Sequence, residues 1–342
     1  MEIIFDDIGS YPLPRGQRER VHQAFADGRY GDPGVTEAIR DCMRQKIAAG
    51  LDVPTYPQFQ DMNQQFTRII NDPACAEAPF LVKEESAEII ELSAIEPVAK
   101  EYLEKTGERL RIRVCVTGAV ELYLKQFGSA AYPDILELYA RSVDRFVVNA
   151  LHTKSSFDVA VISIDEPSIG INPEIMFSDD EIIHALNLSA KSSDVDTQIH
   201  LHSPIHYTLA CESDSINVVG VESAANPDYL ELIDKDDLGR YDTFLRVGVA
   251  RTDIFGMTAL LNEKYQTNVW KETFRLGEIV TAMETPEVIA KRLRHAYDRF
   301  GELIRYAGPD CGLGAWEYPD LAQGLLKNAG DGIASFKKSL GP

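Results

Sequence analysis

Residues Val159-Ala160-Val161-Ile162-Ser163-Ile164 form a nearly continuous apolar run that stops on Asp165. A strand of this composition has no side to give to water, which is the mark of a parallel strand covered on both faces. Seven further short runs share its character, over 3–9, 51–54, 110–117, 197–202, 216–222, 244–249 and 303–307. Helical spacing of apolar residues fills the intervals, with helices expected over 15–27, 35–49 and 133–154. Residues 80–92 fit either a hairpin or a helix edge. Eight strands alternating with helices predict an α/β fold, a (β/α)8 TIM barrel, in one domain spanning 1–342. No GxGxxG fingerprint follows the first strand and no Walker A sequence occurs, which disfavours a dinucleotide fold.

Charge narrows the choice of partners. The formal net charge is −20, so the chain is expected to repel nucleic acid and anionic membrane surfaces. The amino terminus, Met1-Glu2-Ile3-Ile4-Phe5-Asp6-Asp7, is acidic and lacks the basic region of a signal peptide. No apolar run approaches the roughly 20 residues of a membrane helix. Cys42, Cys75, Cys115, Cys211 and Cys311 are scattered and odd in number, which predicts reduced thiols and a cytoplasmic location.

In a parallel barrel the chemistry sits at the carboxyl ends of the strands. Several apolar runs here stop on a polar group: the fourth on Asp165-Glu166, the fifth on His200-Leu201-His202, the sixth on Glu222, and the eighth leads to Asp310-Cys311-Gly312. His200 and His202 are two apart and point to the same side of a strand, and His206 follows on the first helical turn. Imidazole, carboxylate and thiolate from separate strand ends fit a tetrahedral zinc ion with one position open for a substrate thiol. Zinc lowers the pKa of such a thiol, so a thiolate nucleophile exists at neutral pH. Asp165 is a candidate for holding a substrate ammonium group, beside Glu166. Ser10, following Gly9, is a candidate for offering its backbone N–H to a carboxylate. Gln58 and Asp61 are polar groups just after the second strand.

Six segments then carry a family resemblance. Ile8-Gly9-Ser10-Tyr11-Pro12, Thr117-Gly118-Ala119-Val120, Ile164-Asp165-Glu166-Pro167, Ile199-His200-Leu201-His202, Val221-Glu222-Ser223 and Pro309-Asp310-Cys311-Gly312-Leu313 occur in the order found in the C-terminal catalytic barrel of cobalamin-independent methionine synthase. The chain resembles the core, short, archaeal-type form of that family of zinc-dependent thiol methyltransferases, with no counterpart of the N-terminal folate-binding half. The resemblance implies methyl transfer to the thiol of homocysteine, giving methionine, with methylcobalamin or a methylated corrinoid protein as donor. It implies His202, Glu222 and Cys311 as zinc ligands, with catalysis resting on Asp165, His202 and Cys311. It implies Ser10 and Asp165 as contacts to the carboxylate and amino group of homocysteine, with Gln58 near a second contact to the amino group. Related enzymes act on another thiol, coenzyme M, and a metal-free relative that binds without turnover is the further alternative.

Two departures bear on these expectations. The family's fifth-strand motif is His-x-Cys, which supplies two zinc ligands; here it reads His202-Ser203-Pro204, and proline cannot bind a metal. A fourth ligand would have to come from His200, His206 or, least readily, Cys211. The long enzymes also carry a histidine implicated in acid catalysis within Asp-Ile-His-Ser-Pro, where this chain reads Asp253-Ile254-Phe255-Gly256-Met257. A corrinoid leaving group tolerates that loss because it needs no protonation.

Overall fold

The structure is a computed structural model that describes residues 3–13, 16–153 and 155–341. Its strands are β1 (Ile4–Phe5), β2 (Ala76–Ala78), β3 (Leu81–Val82), β4 (Leu110–Thr117), β5 (Phe157–Asp165), β6 (Asp196–Leu201), β7 (Val218–Val221), β8 (Phe244–Ala250) and β9 (Ile304–Pro309). Seven of them form one parallel sheet in the order β1-β9-β8-β7-β6-β5-β4, and β2 and β3 make a separate antiparallel hairpin. That hairpin, followed by a helix from Ile90 to Thr106, resolves the ambiguous stretch at 80–92.

The expected eighth strand, at 51–54, is not a strand of the sheet. Its neighbourhood instead makes isolated parallel bridges, Asp6 to Val53 and Ser10 to Gln58 on one side, and Thr55 to Arg113 on the other. Pro54 and Pro57 interrupt the segment and remove two N–H donors, which is the physical reason no continuous ladder forms there. The segment therefore touches both edge strands of a curled sheet. This corrects the expectation of eight regular strands to a seven-stranded, barrel-like sheet flanked by helices.

The helices begin where local chemistry favours a start. Pro33 opens Pro33–Ala48, with the Asp32 carboxylate accepting from the Gly34 N–H. Asp179–Ser189 opens with a reciprocal capping box between Ser178 and Glu181. The helix expected over 133–154 runs Pro133–His152, and that over 15–27 runs Arg18–Ala26; Lys154 and Arg15 lie outside the described residues.

Inside the curled sheet, beneath the carboxyl ends of the strands, lies a buried charged layer. Asp6 pairs with Arg246 at 2.9 Å and Asp7 with Lys46 at 2.7 Å, all four side chains essentially without solvent contact. Buried charges are tolerable only when paired and hydrogen-bonded. Gln198 donates to Asp6 at 3.1 Å, Arg113 to the Asp7 carbonyl at 2.6 Å, and Arg246 to the Pro309 carbonyl at 2.8 Å. The layer thus ties β1, β4, β6, β8 and β9 together directly below the residues of interest.

Candidate metal centre at the strand ends

Four side chains expected from the sequence meet above that layer. His200 is the penultimate residue of β6, His202 follows β6, Glu222 follows β7 and Cys311 lies two residues beyond β9. One donor atom from each lies within 4.8 Å of every other. Cys311 Sγ is 3.6 Å from His200 Nε2 and 3.9 Å from His202 Nε2. Glu222 Oε1 is 3.6 Å from His200 Nε2 and 3.5 Å from His202 Nε2. Zinc bonds of about 2.0–2.3 Å put the donors of a tetrahedron roughly 3.3–3.8 Å apart, so the spacing fits such an ion.

The electrostatics of the four groups point the same way. Burial pushes Glu222 up to about 7, aided by the nearby Asp310 carboxylate. Burial and the Glu222 charge push the Cys311 thiol well above its ordinary value. Burial holds both imidazoles below theirs, His200 far below. Neutral imidazoles offer lone pairs, and the two acids shed their protons once a dication compensates the desolvation. His200 is the inner member, its side chain 4% exposed, whereas His202 is 39% exposed and faces the mouth.

Asp165 stands beside this cluster, in register with His200 across the β5–β6 ladder. It accepts from Ser163 Oγ at 2.6 Å, and Ser163 accepts from Arg113 at 2.5 Å. Burial raises its pKa against the opposing pull of Arg113. Ser10 is drawn to the turn after Cys311: its carbonyl accepts from Leu313 N at 2.7 Å and its Oγ from Gly314 N at 3.2 Å. Gly312 makes this approach possible, because a Cβ there would lie 2.2 Å from Ser10 Oγ.

Other expected residues are placed elsewhere. Glu166, expected to meet substrate, is fully buried and accepts the backbone N–H groups of Val120 and Glu121 at 2.9 and 2.8 Å. It fills the space a side chain at Gly118 would need, so its carboxylate is committed to the fold. Gln58 is nearly buried and donates to Gln65, which in turn donates to Glu91, leaving its amide nitrogen spoken for. Asp61 caps the helix Met62–Ile70. His206 and Cys211 do not join the donor cluster: His206 precedes the short helix Tyr207–Cys211 without a side-chain capping bond, and Cys211 packs in the apolar core. Phe255 is 67% exposed, its ring 6.1 Å from that of Trp270.

Sequence reasoning missed Asp310. Its carboxylate accepts from Ala224 N at 2.8 Å and Ala225 N at 2.7 Å, which fastens the turn after Glu222 to the residue before Cys311. An acid directly preceding a candidate ligand, at the end of an apolar strand, was the available signal.

The curled parallel sheet with converging imidazole, carboxylate and thiol donors at its mouth defines a barrel-like α/β protein with a thiol-bearing candidate metal site. No family model matches the chain. It is similar to the methionine synthase of Pyrococcus abyssi, 23% identical over 331 residues, covering 90% of this chain and 85% of that protein. It is also similar to the 5-methyltetrahydropteroyltriglutamate–homocysteine methyltransferase of Yersinia pseudotuberculosis, 21% identical over 93% of this chain but 41% of the longer protein. Among solved structures, a B12-independent methionine synthase from Shewanella sp. W3-18-1, in complex with selenomethionine, superposes with a TM-score of 0.63 at 15% identity over 99% of each chain, which establishes a shared fold. The resemblance carried by the six motifs thus extends along nearly the whole chain, which is similar in sequence to methionine synthases and shares the fold of one.

Proposed function

We propose that this protein is a methyltransferase that methylates the thiol of homocysteine to give methionine, acting as one barrel domain over residues 1–342 in which the bridged segment around Val53–Gln58 completes the ring. The observation that carries this reading is the convergence of His202, Glu222 and Cys311, beside a buried Asp165, at the strand ends of a fold like that of a methionine synthase. His202, Glu222 and Cys311 would hold zinc, and zinc when bound makes a thiol acidic enough to be a thiolate at neutral pH.

The chain's own residues do the rest. Asp165 receives the substrate ammonium, its carboxylate pre-oriented by Ser163 and Arg113. Ser10, fixed against the Cys311 turn, offers its backbone N–H to the substrate carboxylate. Holding both ends of the amino acid leaves the thiol at the cluster and its lone pair directed outward, past the half-exposed His202. The transfer is a single in-line displacement. The sulfur–methyl bond forms as the donor–methyl bond breaks, the electron pair leaves with the donor, and the thiol proton has already gone to solvent.

The donor is a separate question. A methylated corrinoid was expected from the sequence, but the name of the Shewanella enzyme is B12-independent, and nothing in the comparisons supports cobalamin here. Methylcobalamin and a methylated pterin are therefore two arms of one assay. Zinc content comes first, on anaerobically purified protein. About one zinc per chain, with homocysteine-dependent transfer from either donor, supports the reading. A wild-type protein that takes up no zinc and transfers no methyl group overturns it in favour of a metal-free binding relative.

A further inference from the structure

Four donors meet at the strand ends, one more than the three the zinc reading requires. We infer that His200 is the fourth protein donor, so that the centre is built from two imidazoles, one carboxylate and a single thiolate. This rests on the zinc-dependent reading above and adds to it the composition of the ion's shell. His200 Nε2 lies 3.6 Å from both Cys311 Sγ and Glu222 Oε1, close to the 3.9 and 3.5 Å that His202 Nε2 makes on the other side of the cluster. Because His200 and His202 are alternate residues of one strand end, both rings reach the same side, and their centroids are 5.3 Å apart. The two therefore bracket Glu222 and Cys311 from below and above.

The ring of His200 has no competing engagement. Its Nδ1 is buried and has no hydrogen-bond partner among the described residues. A histidine kept for packing alone would be expected to satisfy that nitrogen; here the only polar groups the ring addresses are the other donors, through Nε2. A neutral ring with its proton on Nδ1 leaves the Nε2 lone pair facing the cluster. Gln198, two residues earlier on β6, has a buried Oε1 that is likewise unpartnered, and the two atoms are not hydrogen-bonded to each other.

No second sulfur competes for the place. Position 204 is proline, Cys211 lies in the apolar core with its thiol pushed up to about 12 by burial, and Cys115 sits within β4 at the same value for the same reason. His206 is exposed and lies outside the donor cluster, its backbone nitrogen near Gly170. A shell with one thiolate and one carboxylate leaves a bound dication formally neutral, where two thiolates and a carboxylate would leave it anionic. With four protein donors the substrate thiol enters by displacing one of them or as a fifth ligand.

The test is a sulfur count on the zinc-loaded, full-length protein by X-ray absorption at the zinc edge. One sulfur with three nitrogen or oxygen neighbours, two of them showing the outer-shell scattering of imidazole rings, is expected, and a single imidazole or two sulfurs would overturn the inference. A second readout is zinc affinity by competition with a chromogenic chelator. Loss of a residue that merely supports a ligand costs about 10–100-fold in metal affinity, so His200→Ala should weaken zinc by at least ~100-fold, while His206→Ala leaves it unchanged. Circular dichroism and the thermal midpoint of the metal-free variant establish folding, and the sulfur count needs no variant at all. Unchanged affinity in a folded His200→Ala protein sinks the inference while zinc binding by the wild type preserves the broader reading. A wild type that binds no zinc removes both.

Discussion

Asp310 Oδ1 lies 1.8 Å from the point that a Cβ on Gly248 would occupy. The carboxylate fills the space left by the missing side chain and from there accepts the N–H groups of Ala224 and Ala225. A glycine in β8 thereby lets the strand that delivers Cys311 grip the turn that delivers Glu222. The same device recurs across the mouth, where Glu166 fills the space beside Gly118 and grips the N–H groups of Val120 and Glu121. Each carboxylate adjoins a residue of the proposed site, Cys311 in one case and Asp165 in the other.

Gly248→Ala should therefore disturb the site without touching a donor. The added methyl group must displace the Asp310 carboxylate, and overpacking of this kind destabilises by about 1–3 kcal/mol. The expected result is a lowered urea midpoint together with weaker zinc binding, because the Glu222 turn loses its clamp. A variant as stable as wild type, with unaltered zinc affinity, would show that the clamp has no hold on the centre.

Cys311→Ser replaces the only sulfur in the cluster with a hydroxyl of similar shape. The fold should survive, since Cys311 is only partly buried and a serine oxygen can keep the contact its sulfur makes with the Gly312 backbone. Zinc content and homocysteine methylation should both fall by at least ~100-fold, on the scale by which even supporting residues affect metal affinity. Activity equal to wild type would remove Cys311 from the chemistry.

Much of this was legible in the chain because strand ends are legible. The apolar runs at 110–117 and 159–165 were placed almost residue for residue, since a strand buried on both faces leaves an unbroken signal. The same logic located Asp165, His202, Glu222 and Cys311 at the mouth. The segment around Val53 was expected as a strand that included Pro54, and the loss of ladder donors at Pro54 and Pro57 explains why only isolated bridges form there. Glu166, expected beside Asp165 as a substrate contact, accepts the Val120 and Glu121 N–H groups in the space beside Gly118, a partner distant in sequence that spacing along the chain does not reveal. Choosing among His200, His206 and Cys211 needed distances, which spacing along the chain does not contain.

Asp165→Asn separates homocysteine from thiols without an ammonium group. A charge-assisted hydrogen bond contributes about 1.5–3 kcal/mol, which corresponds to roughly 10–150-fold in affinity. KM for homocysteine should rise on that scale, whereas transfer to coenzyme M, whose sulfonate carries no ammonium, should be unaffected. Equal sensitivity of the two acceptors would dissociate Asp165 from amino-group recognition and favour the other thiol as substrate.

The metal-free protein should lose stability as pH rises across neutrality, and Glu166 is a main cause. Burial pushes its carboxyl up to about 8, with the Glu121 and Asp165 carboxylates adding to the rise and the two backbone N–H groups opposing it. In the unfolded chain a glutamate titrates near ~4.3. Between those values the folded protein holds a proton that the unfolded chain has released, so raising the pH favours unfolding. The contribution is complete below about pH 4 and is lost as pH passes through about 8. Urea unfolding of the stripped protein should accordingly give a higher free energy near pH 5 than near pH 8 (both roughly chosen to span the titration). Asp310, held up to about 7 by burial, contributes in the same direction, so Glu166→Gln should reduce the slope and not abolish it. A slope identical in wild type and Glu166→Gln would mean that Glu166 is already ionised in the folded state, with its two N–H bonds outweighing its burial.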